Sequence, residues 1–441
     1  MKDSETGRIT RFIIPVAMEN LLTQLIAGVV PALIGGISGS ALAAVGLINT
    51  LVTLLTAMFS MMSVGGSVLL ARSIGADDLR EAGRIAGQNL LLGALAGAVM
   101  AAALYIGAEP VMRLMMPTAE DGMFAEAIVY MRSMMLSLPA LVVYTVGSAL
   151  LRAAGNSRGP MLVTAALNGV QILAAFLMIR AMNLGMPGAG GSYILARTIG
   201  AALVLAILLS GGNRFRVSRQ DLLRPHWPTW KRIVRIGMPP SLEGTVVQIG
   251  YLLANGMAVG LGAHEATVYQ ILTTLYNFAA YPQGICSNTL ISFIGQKIGA
   301  GDIPGAWRTA KRVYLAGIAS TLVLGGAVFL LSGGLISFYT ADSAVWEAAM
   351  KAAWVVPLMA LTGVCINGMD PGLRAGGDVR FVMTYTVIGV WAIRIPLTWL
   401  FCYRMNMGVE GLFLANIASL TARAATGFIR FLSGRWIHRT V

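Results

Sequence analysis

Stretches of about twenty apolar residues recur along the chain, separated by short polar turns. A helix needs roughly 20 such residues to cross about 30 Å of hydrocarbon, so each stretch predicts one membrane-spanning helix. The predicted spans are residues 12–34, 42–70, 85–107, 124–150, 160–181, 188–210, 233–260, 266–294, 313–332, 348–372, 381–403 and 411–433. The pattern therefore predicts an all-α integral membrane protein with twelve transmembrane helices.

Composition supports this class of protein. Of the 441 residues, 56% are hydrophobic and 12% are charged, and the mean hydropathy is +0.74. The segment MKDSETGRITR before the first span is too polar for a secretion signal, so we expect the first helix to remain in the mature protein. The cysteines fall inside predicted spans, which predicts buried free thiols and no disulfides.

The net charge of +13 could suggest a nucleic-acid partner, but its distribution indicates a membrane orientation. With a cytoplasmic amino terminus, 24 of the 32 Lys and Arg residues fall in that terminus, the even-numbered loops and the carboxy terminus. This asymmetry follows the positive-inside rule. It predicts a multi-pass plasma (inner) membrane protein with both termini in the cytoplasm, and no nucleic-acid partner.

The chain contains two copies of one sequence pattern. Residues 69–84 and 293–308 share six identical positions at an offset of 224, and residues 151–161 and 373–383 share six at an offset of 222. Repetition over this distance indicates a duplication of half the chain. Each copy carries six predicted spans, so both enter the membrane from the same side as a parallel repeat.

The segment between the copies predicts how the chain divides. Residues 211–232 are basic and contain two prolines, which is typical of a cytoplasmic linker. This predicts an amino-terminal lobe over residues 1–210 and a carboxy-terminal lobe over residues 233–441. Two six-helix lobes around a central cleft suit alternating access, in which one lobe rocks against the other. The organisation favours a transporter.

The repeated loops also carry a family resemblance. IGADD and IGAGD follow spans 2 and 8, and LRAAGNSR and LRAGGDVR follow spans 4 and 10. At these loops the chain resembles the multidrug and toxic compound extrusion (MATE) family, over essentially its whole length. The resemblance implies two pseudo-symmetric six-helix lobes and a secondary antiporter that exports organic cations or amphipathic drugs in exchange for H+ or Na+. We expect a monomer in the bilayer, with no cofactor beyond the coupling ion.

One position departs from the family pattern. Many members carry an aspartate in the outer half of the first helix, where this chain has Pro31. The sequence also places no acidic residue in the middle of span 10 or the outer half of span 7, where other branches carry theirs. The ion-coupling scheme of those branches therefore cannot be transferred directly.

Two glutamates in predicted spans are the first candidates for an ion or substrate site. Glu19 and Glu243 occupy matching places at the 224 offset, each about 12 Å beyond a basic residue at the inner membrane surface. A buried carboxylate there could bind a proton, Na+ or a cationic drug. Alternatively, each glutamate is permanently paired inside its lobe. The candidate partners are Arg197 in the first lobe and Arg394 or Arg423 in the second.

Arg394 is a separate candidate because it lies near mid-membrane and its repeat mate is Ile172. An unduplicated charge at this depth favours a counter-ion that competes with a proton, or a substrate contact. A static pair with Glu243 is the structural alternative. Three further polar residues, Asn277, Tyr281 and Gln248, are candidates for the cleft wall or, equally, for interhelical hydrogen bonds.

The loop residues have a structural explanation. Asp78 precedes Glu81 by three residues at the start of a helix, which is a capping-box pattern, and Asp302 is expected to cap its helix in the same way. Asp370 stands four residues before Arg374 and is expected to be a helix-end partner. The glycines expected to give backbone freedom in tight turns are Gly75, Gly155, Gly299 and Gly377.

Other classes are less well supported. The three histidines fall in loops and no paired carboxylates suited to catalysis appear in the spans, so we expect no enzyme. The alternative transporter class is a flippase or exporter of a lipid-linked or other endogenous metabolite in the same superfamily. A flippase of lipid-linked oligosaccharides should show more than twelve helices and a broadly cationic cleft, and this sequence shows neither clearly.

Overall fold

A computed structural model describes residues 5–27, 39–116 and 121–434, and every regular element in these ranges is a helix. Pro31 and the end of the first predicted span lie outside the described residues. The helices are α1 (Glu5–Ala27), α2 (Gly39–Gly75), α3 (Leu79–Ile106), α4 (Ala108–Met115), α5 (Asp121–Leu136), α6 (Leu138–Ala153), α7 (Arg158–Ala181), α8 (Gly185–Leu209), α9 (Arg219–Leu223), α10 (Trp227–Gly260), α11 (Ala263–Ala279), α12 (Tyr281–Gly299), α13 (Ile303–Leu330), α14 (Ser332–Tyr339), α15 (Ser343–Ala352), α16 (Val355–Ala375), α17 (Val379–Arg404) and α18 (Gly408–Leu432).

Each predicted span corresponds to one long helix or to two consecutive helices. The fourth span is the pair α5 and α6, bent by 42°, and the tenth is the pair α15 and α16, bent by 45°. By length and composition, seven helices of the described chain could cross a membrane, or nine counting each bent pair as one span. Of the other predicted spans, α10 carries two prolines and a glutamate, and α11 has only 17 residues.

The eighth span differs from the continuous helix that was predicted. It consists of α11 and α12, with the break at Ala280. Pro282 lies in the first turn of α12, where its missing N–H costs nothing because the first turn has no intrahelical acceptor. Asn277 and Tyr281 lie on opposite sides of this break, on two different helices.

The chain forms two compact units, Met1–Met238 and Pro239–Val441. Within the first unit, α6 packs against α2, α3 and α8. Within the second, α16 packs against α12, α13 and α18, with a buried core that includes Leu272, Val356 and Phe413. A central helix carrying LRA at its carboxyl end is therefore common to both units.

The helix boundaries reproduce the sequence repeat. Helices α3 and α13 start and end at positions that differ by 224 residues. Asp78 accepts a hydrogen bond from the Glu81 N–H, and Asp302 accepts one from the Gly305 N–H, both at 2.9 Å. The predicted helix caps are confirmed.

The turn glycines were only partly predicted. Gly155 and Gly377 have φ values of 87° and 85°, which only glycine adopts readily. In the other repeated loop, the residues with positive φ are Asp77 and Gly301, two positions after the predicted glycines. The turns close once the helix has ended, so the left-handed residue falls later than the sequence suggested.

Helices α7 and α17 both contain π-helical turns. In α7 these are the last six residues, Phe176–Ala181, and in α17 they are Gly389–Arg394 and Leu400–Arg404. Pro396 cannot donate a backbone hydrogen bond, which favours local rewinding of α17 around it. Such π turns often occur at functional positions, and here one ends at Arg394.

Candidate functional site

Glu19 forms a buried ion pair inside the first unit. It lies on α1 with 6% of its surface exposed. Its Oε1 accepts a hydrogen bond from Nη1 of Arg152 at 2.6 Å, and Arg152 lies in the last turn of α6. Its other carboxylate oxygen has no hydrogen-bond partner among the described residues.

Glu243 forms the matching ion pair in the second unit. It lies on α10 and is 5% exposed. Nη2 of Arg374, in the last turn of α16, donates to both carboxylate oxygens at 2.9 Å. Since both members of the pair repeat between the copies, the ion pair is a duplicated feature that each unit builds within itself.

The pairing partners differ from those considered from the sequence. Glu19 contacts Arg152 and not Arg197. Glu243 contacts Arg374, and neither Arg394 nor Arg423. In the predicted arrangement of spans, Arg152 and Arg374 fall in the loops after spans 4 and 10, at the membrane surface. An arginine side chain is long enough to extend from the end of a helix to a carboxylate deeper in the membrane.

The second unit adds a further charged cluster around Asp370. This residue was expected to be a helix-end partner, but it is 5% exposed and accepts a hydrogen bond from the Tyr385 hydroxyl. Nη2 of Arg423 lies 3.9 Å from Oδ2 of Asp370 and donates to the Thr386 hydroxyl at 3.0 Å. The spacing of Asp370 and Arg374 on α16 places them on one helix face.

The Asp370 cluster was missed, although one sequence feature could have revealed it. At the 222 offset Asp370 corresponds to Ser148 and Tyr385 to Val163, so neither is duplicated. Helices α8 and α18 are offset by 223, so Arg423 corresponds to Gly200 in the first unit. The reasoning that singled out Arg394, an unduplicated charge in a span, applies equally to Asp370.

Arg394 is buried without a carboxylate partner in the described chain. It is 3% exposed, and its guanidinium carbon lies 4.2 Å from the centre of the Tyr251 ring. Its Nε has no hydrogen-bond partner among the described residues. The expected alternative of a static pair with Glu243 was wrong, because Glu243 is held by Arg374.

Arg197 is a buried cation of the first unit at a position that does not correspond to Arg394. It is 8% exposed near the middle of α8, and its Nη1 donates to the Ser137 hydroxyl at 2.6 Å. Its guanidinium carbon lies 4.9 Å from the centre of the Tyr193 ring. No salt bridge involves Arg197 in the described part of the chain. Each unit thus carries one buried arginine that rests on an aromatic ring.

The three predicted cleft-wall residues are more exposed than these charges. Asn277 is exposed near the end of α11, whereas Tyr281 and Gln248 are half-buried on α12 and α10. Their predicted contacts with substrate remain predictions. Neighbouring Gln283 has a structural role, since its amide donates to the Ala360 carbonyl at 3.1 Å and accepts from Asn367 at 3.0 Å.

Two repeated sets of long apolar helices with charges buried inside each set are typical of a membrane transporter. The MatE family profile matches residues 15–177 and 239–400, and the chain belongs to this family of multidrug and toxic compound extrusion proteins. The sequence resemblance to this family is thereby confirmed.

Individual relatives match over nearly the full chain. The "Probable multidrug resistance protein NorM" of Thermotoga maritima is 24% identical over 437 residues, covering 98% of this chain and 93% of that protein. A solved "outward-facing conformation of a multidrug resistance MATE family transporter of the MOP superfamily" aligns with a TM-score of 0.90 at 19% identity, covering 98% of this chain and 97% of that one.

A second solved structure comes from Pyrococcus furiosus. It is described as showing a "reverse polarity of binding pocket" that "suggests different function of a MOP superfamily transporter". It aligns with a TM-score of 0.90 at 19% identity and covers 98% of this chain and 97% of that one. These neighbours establish the twelve-helix fold.

Proposed function

We propose that this MATE transporter is a proton-coupled antiporter that exports amphipathic small molecules by rocker-switch alternating access. It acts in the plasma membrane with both termini in the cytoplasm, as the distribution of Lys and Arg favours. Glu243 and the cluster around Asp370 carry the coupling proton. Glu19 forms the corresponding structural pair of the first unit.

The observation that carries this proposal is the charge balance of the second unit. Two carboxylates, Asp370 and Glu243, lie with two guanidiniums from Arg374 and Arg423. With both carboxylates ionised the four groups are neutral, and one added proton leaves a net positive charge in a low-dielectric setting. A proton on Asp370 removes its attraction for Arg423, and so weakens the contact between α16 and α18. Binding one ion thereby favours a different helix arrangement.

The same geometry favours a proton over Na+. A sodium ion at Glu243 would compete with the Arg374 guanidinium, which already occupies both carboxylate oxygens. Na+ and the Arg374 guanidinium, both in contact with one carboxylate, would repel each other strongly where water is excluded. A proton neutralises a carboxylate without needing room or further oxygen ligands.

Transport into proteoliposomes tests the coupling. A fluorescent organic cation is the probe, driven separately by a proton gradient and by a sodium gradient. Asp370→Asn is expected to abolish proton-driven accumulation and to leave counterflow of the unlabelled and labelled probe. The matched control is Asp378→Asn, because Asp378 is also fully buried and paired with Arg430 at 2.6 Å in the same unit. Unchanged proton coupling in Asp370→Asn, or sodium-driven uptake by the wild type, would contradict the proposal.

The isolated arginines favour a second candidate function, export of a metabolite that carries an acidic group. Among the described residues, Arg197 and Arg394 are buried cations that lie against aromatic rings, and the neutral Ser137 hydroxyl accepts a hydrogen bond from Arg197. A carboxylate or phosphate on the cargo would supply the missing counter-charge. The reversed pocket polarity described for the Pyrococcus furiosus transporter is in keeping with this candidate.

Cargo charge separates the two functions. Arg394→Gln should lower the transport of an anionic probe at least tenfold and leave a cationic probe within twofold. Arg404→Gln is the control, since Arg404 lies on the same helix but is exposed and rests on Trp399. Equal transport of the anionic probe by wild type and Arg394→Gln would exclude this second function.

A further inference from the structure

The second unit contains an open groove that the transport proposal does not use. It has a volume of about 460 Å³ and lies between α13 and α18, with α16 as its floor. Gly368 on α16 allows the ring of Tyr314 to pack against the floor, because a Cβ there would overlap this ring. The walls are mainly apolar and aromatic, and Leu315 and Phe428 are 53% and 45% exposed.

The polarity of the groove changes along its length. Arg308 and Lys311 line the end near the start of α13, and both are exposed. Neither forms a salt bridge with a carboxylate in the described part of the chain. Farther along α13 the wall becomes Tyr314 and Leu315. Two cations at the membrane surface followed by an apolar channel match the polarity of one phospholipid molecule.

The corresponding place in the first unit is filled by protein. At the 224 offset Lys311 corresponds to Gly87, where a Cβ would meet the side chain of Asp221. The side-chain amide of Gln88 donates to the carbonyls of Asp221 and Arg224 at 2.7 and 2.8 Å. The linker segment that contains α9 therefore covers α3. In the second unit, no described segment covers α13 in this way, up to Gly434.

The comparison between units also explains the residue types. Trp307 corresponds to Gly83, whose missing side chain makes room for the backbone carbonyl of Arg216. In the second unit, Trp307 instead packs on Phe431 with ring centres 4.7 Å apart and forms the groove wall. Small residues admit a protein segment in one copy, whereas aromatic and basic residues present an amphipathic surface in the other.

We propose that this groove binds one anionic phospholipid. Its phosphate contacts Arg308 and Lys311, and an acyl chain lies against Tyr314, Leu315 and Phe428. Basic pockets between transmembrane helices at the cytoplasmic side are suited to anionic headgroups. The bound lipid takes the place that the linker occupies in the first unit. It fills the groove between α13 and α18 and keeps water out of it.

Native mass spectrometry of the full chain in detergent tests the proposal, with phosphatidylglycerol and phosphatidylcholine as the probes. The wild type should retain one phosphatidylglycerol in preference to phosphatidylcholine. Arg308→Gln with Lys311→Gln should weaken phosphatidylglycerol binding roughly 25-fold, since each cation at a membrane surface contributes about fivefold. The matched control is Arg214→Gln with Arg219→Gln, which removes two exposed cations from the linker. It should change binding less than twofold.

A second variant tests the apolar part separately. Leu315→Trp fills the groove without altering charge, and it should weaken the binding of both lipids about equally. Equal phosphatidylglycerol retention by the wild type and the Arg308/Lys311 variant would overturn the proposal. So would an equal loss in the linker control, which would indicate only general charge attraction. Phosphatidylglycerol binding that appears only after deletion of residues 435–441 would assign the groove to the end of the chain itself.

Discussion

The substitution Asp370→Asn should destabilise the second unit and leave the first unit intact. Asparagine keeps the shape of the side chain and can still accept the Tyr385 hydrogen bond, but it removes the negative charge opposite Arg423. Removing one partner of a buried ion pair costs about 3–5 kcal/mol because the other charge remains buried. We expect the lower end, about 3 kcal/mol, because Glu243 still balances part of the positive charge. For a unit of about 200 residues this corresponds to a fall in Tm of roughly 6–12 °C.

A double-mutant cycle isolates the charge interaction from the packing change. If Asp370 and Arg423 stabilise each other, the double variant Asp370→Asn with Arg423→Gln restores neutrality with the Glu243–Arg374 pair in place. The double variant should then be about 1–2 kcal/mol more stable than the sum of the single effects.

The assay is thermal unfolding of the purified chain in detergent, followed by fluorescence and by loss of monodisperse protein. Ser148→Ala is the matched control at the repeat position of the first unit. Ser148 is buried and uncharged, so its replacement removes no charge and should be nearly neutral. Strict additivity of the Asp370 and Arg423 variants would refute the reasoning.

Three further predictions concern a helix cap, a turn glycine and the contact between α3 and the linker. Asp302→Ala should lower stability by about 1 kcal/mol by removing a helix cap. The Gly305 N–H holds the pKa of Asp302 below its usual value, so the stabilisation by the carboxylate is complete above the usual pKa and is lost as the pH falls through the lowered pKa. An acid titration of Tm should therefore show a smaller slope in the variant than in the wild type. Gly377→Ala should cost about 1 kcal/mol in thermal unfolding, because alanine is strained at a φ of 85°. Gly83→Ala should displace the linker backbone at Arg216, at a cost of about 1–3 kcal/mol, and trypsin should cleave the linker faster; a cleavage rate equal to that of the wild type would contradict this.

Features set by neighbouring residues could be read from the sequence. The length of each apolar run determined the twelve spans, because the thickness of the membrane fixes the helix length it requires. The spacing of Asp78 and Glu81 identified a helix start, and Asp302 followed from the repeat. The offset of 224 showed that Glu19 and Glu243 occupy matching places in the two units.

Features set by distant residues could not be read in this way. Glu19 and Arg152 are 133 positions apart, and Glu243 and Arg374 are 131 apart, so only the packing of helices decides that each pair meets. Depth along a single helix suggested the wrong partners, because it ignores the reach of an arginine side chain from the end of a neighbouring helix.

By itself, then, the sequence determined the membrane class, the number of spans, the duplication and the presence of two buried glutamates. Only the tertiary structure decided that Arg152 and Arg374 neutralise the two glutamates, that Asp370 joins a cluster with Tyr385 and Arg423, and that Arg394 has no carboxylate partner among the described residues. Hydrophobicity acts on each segment separately, whereas an ion pair depends on the positions of two segments at once.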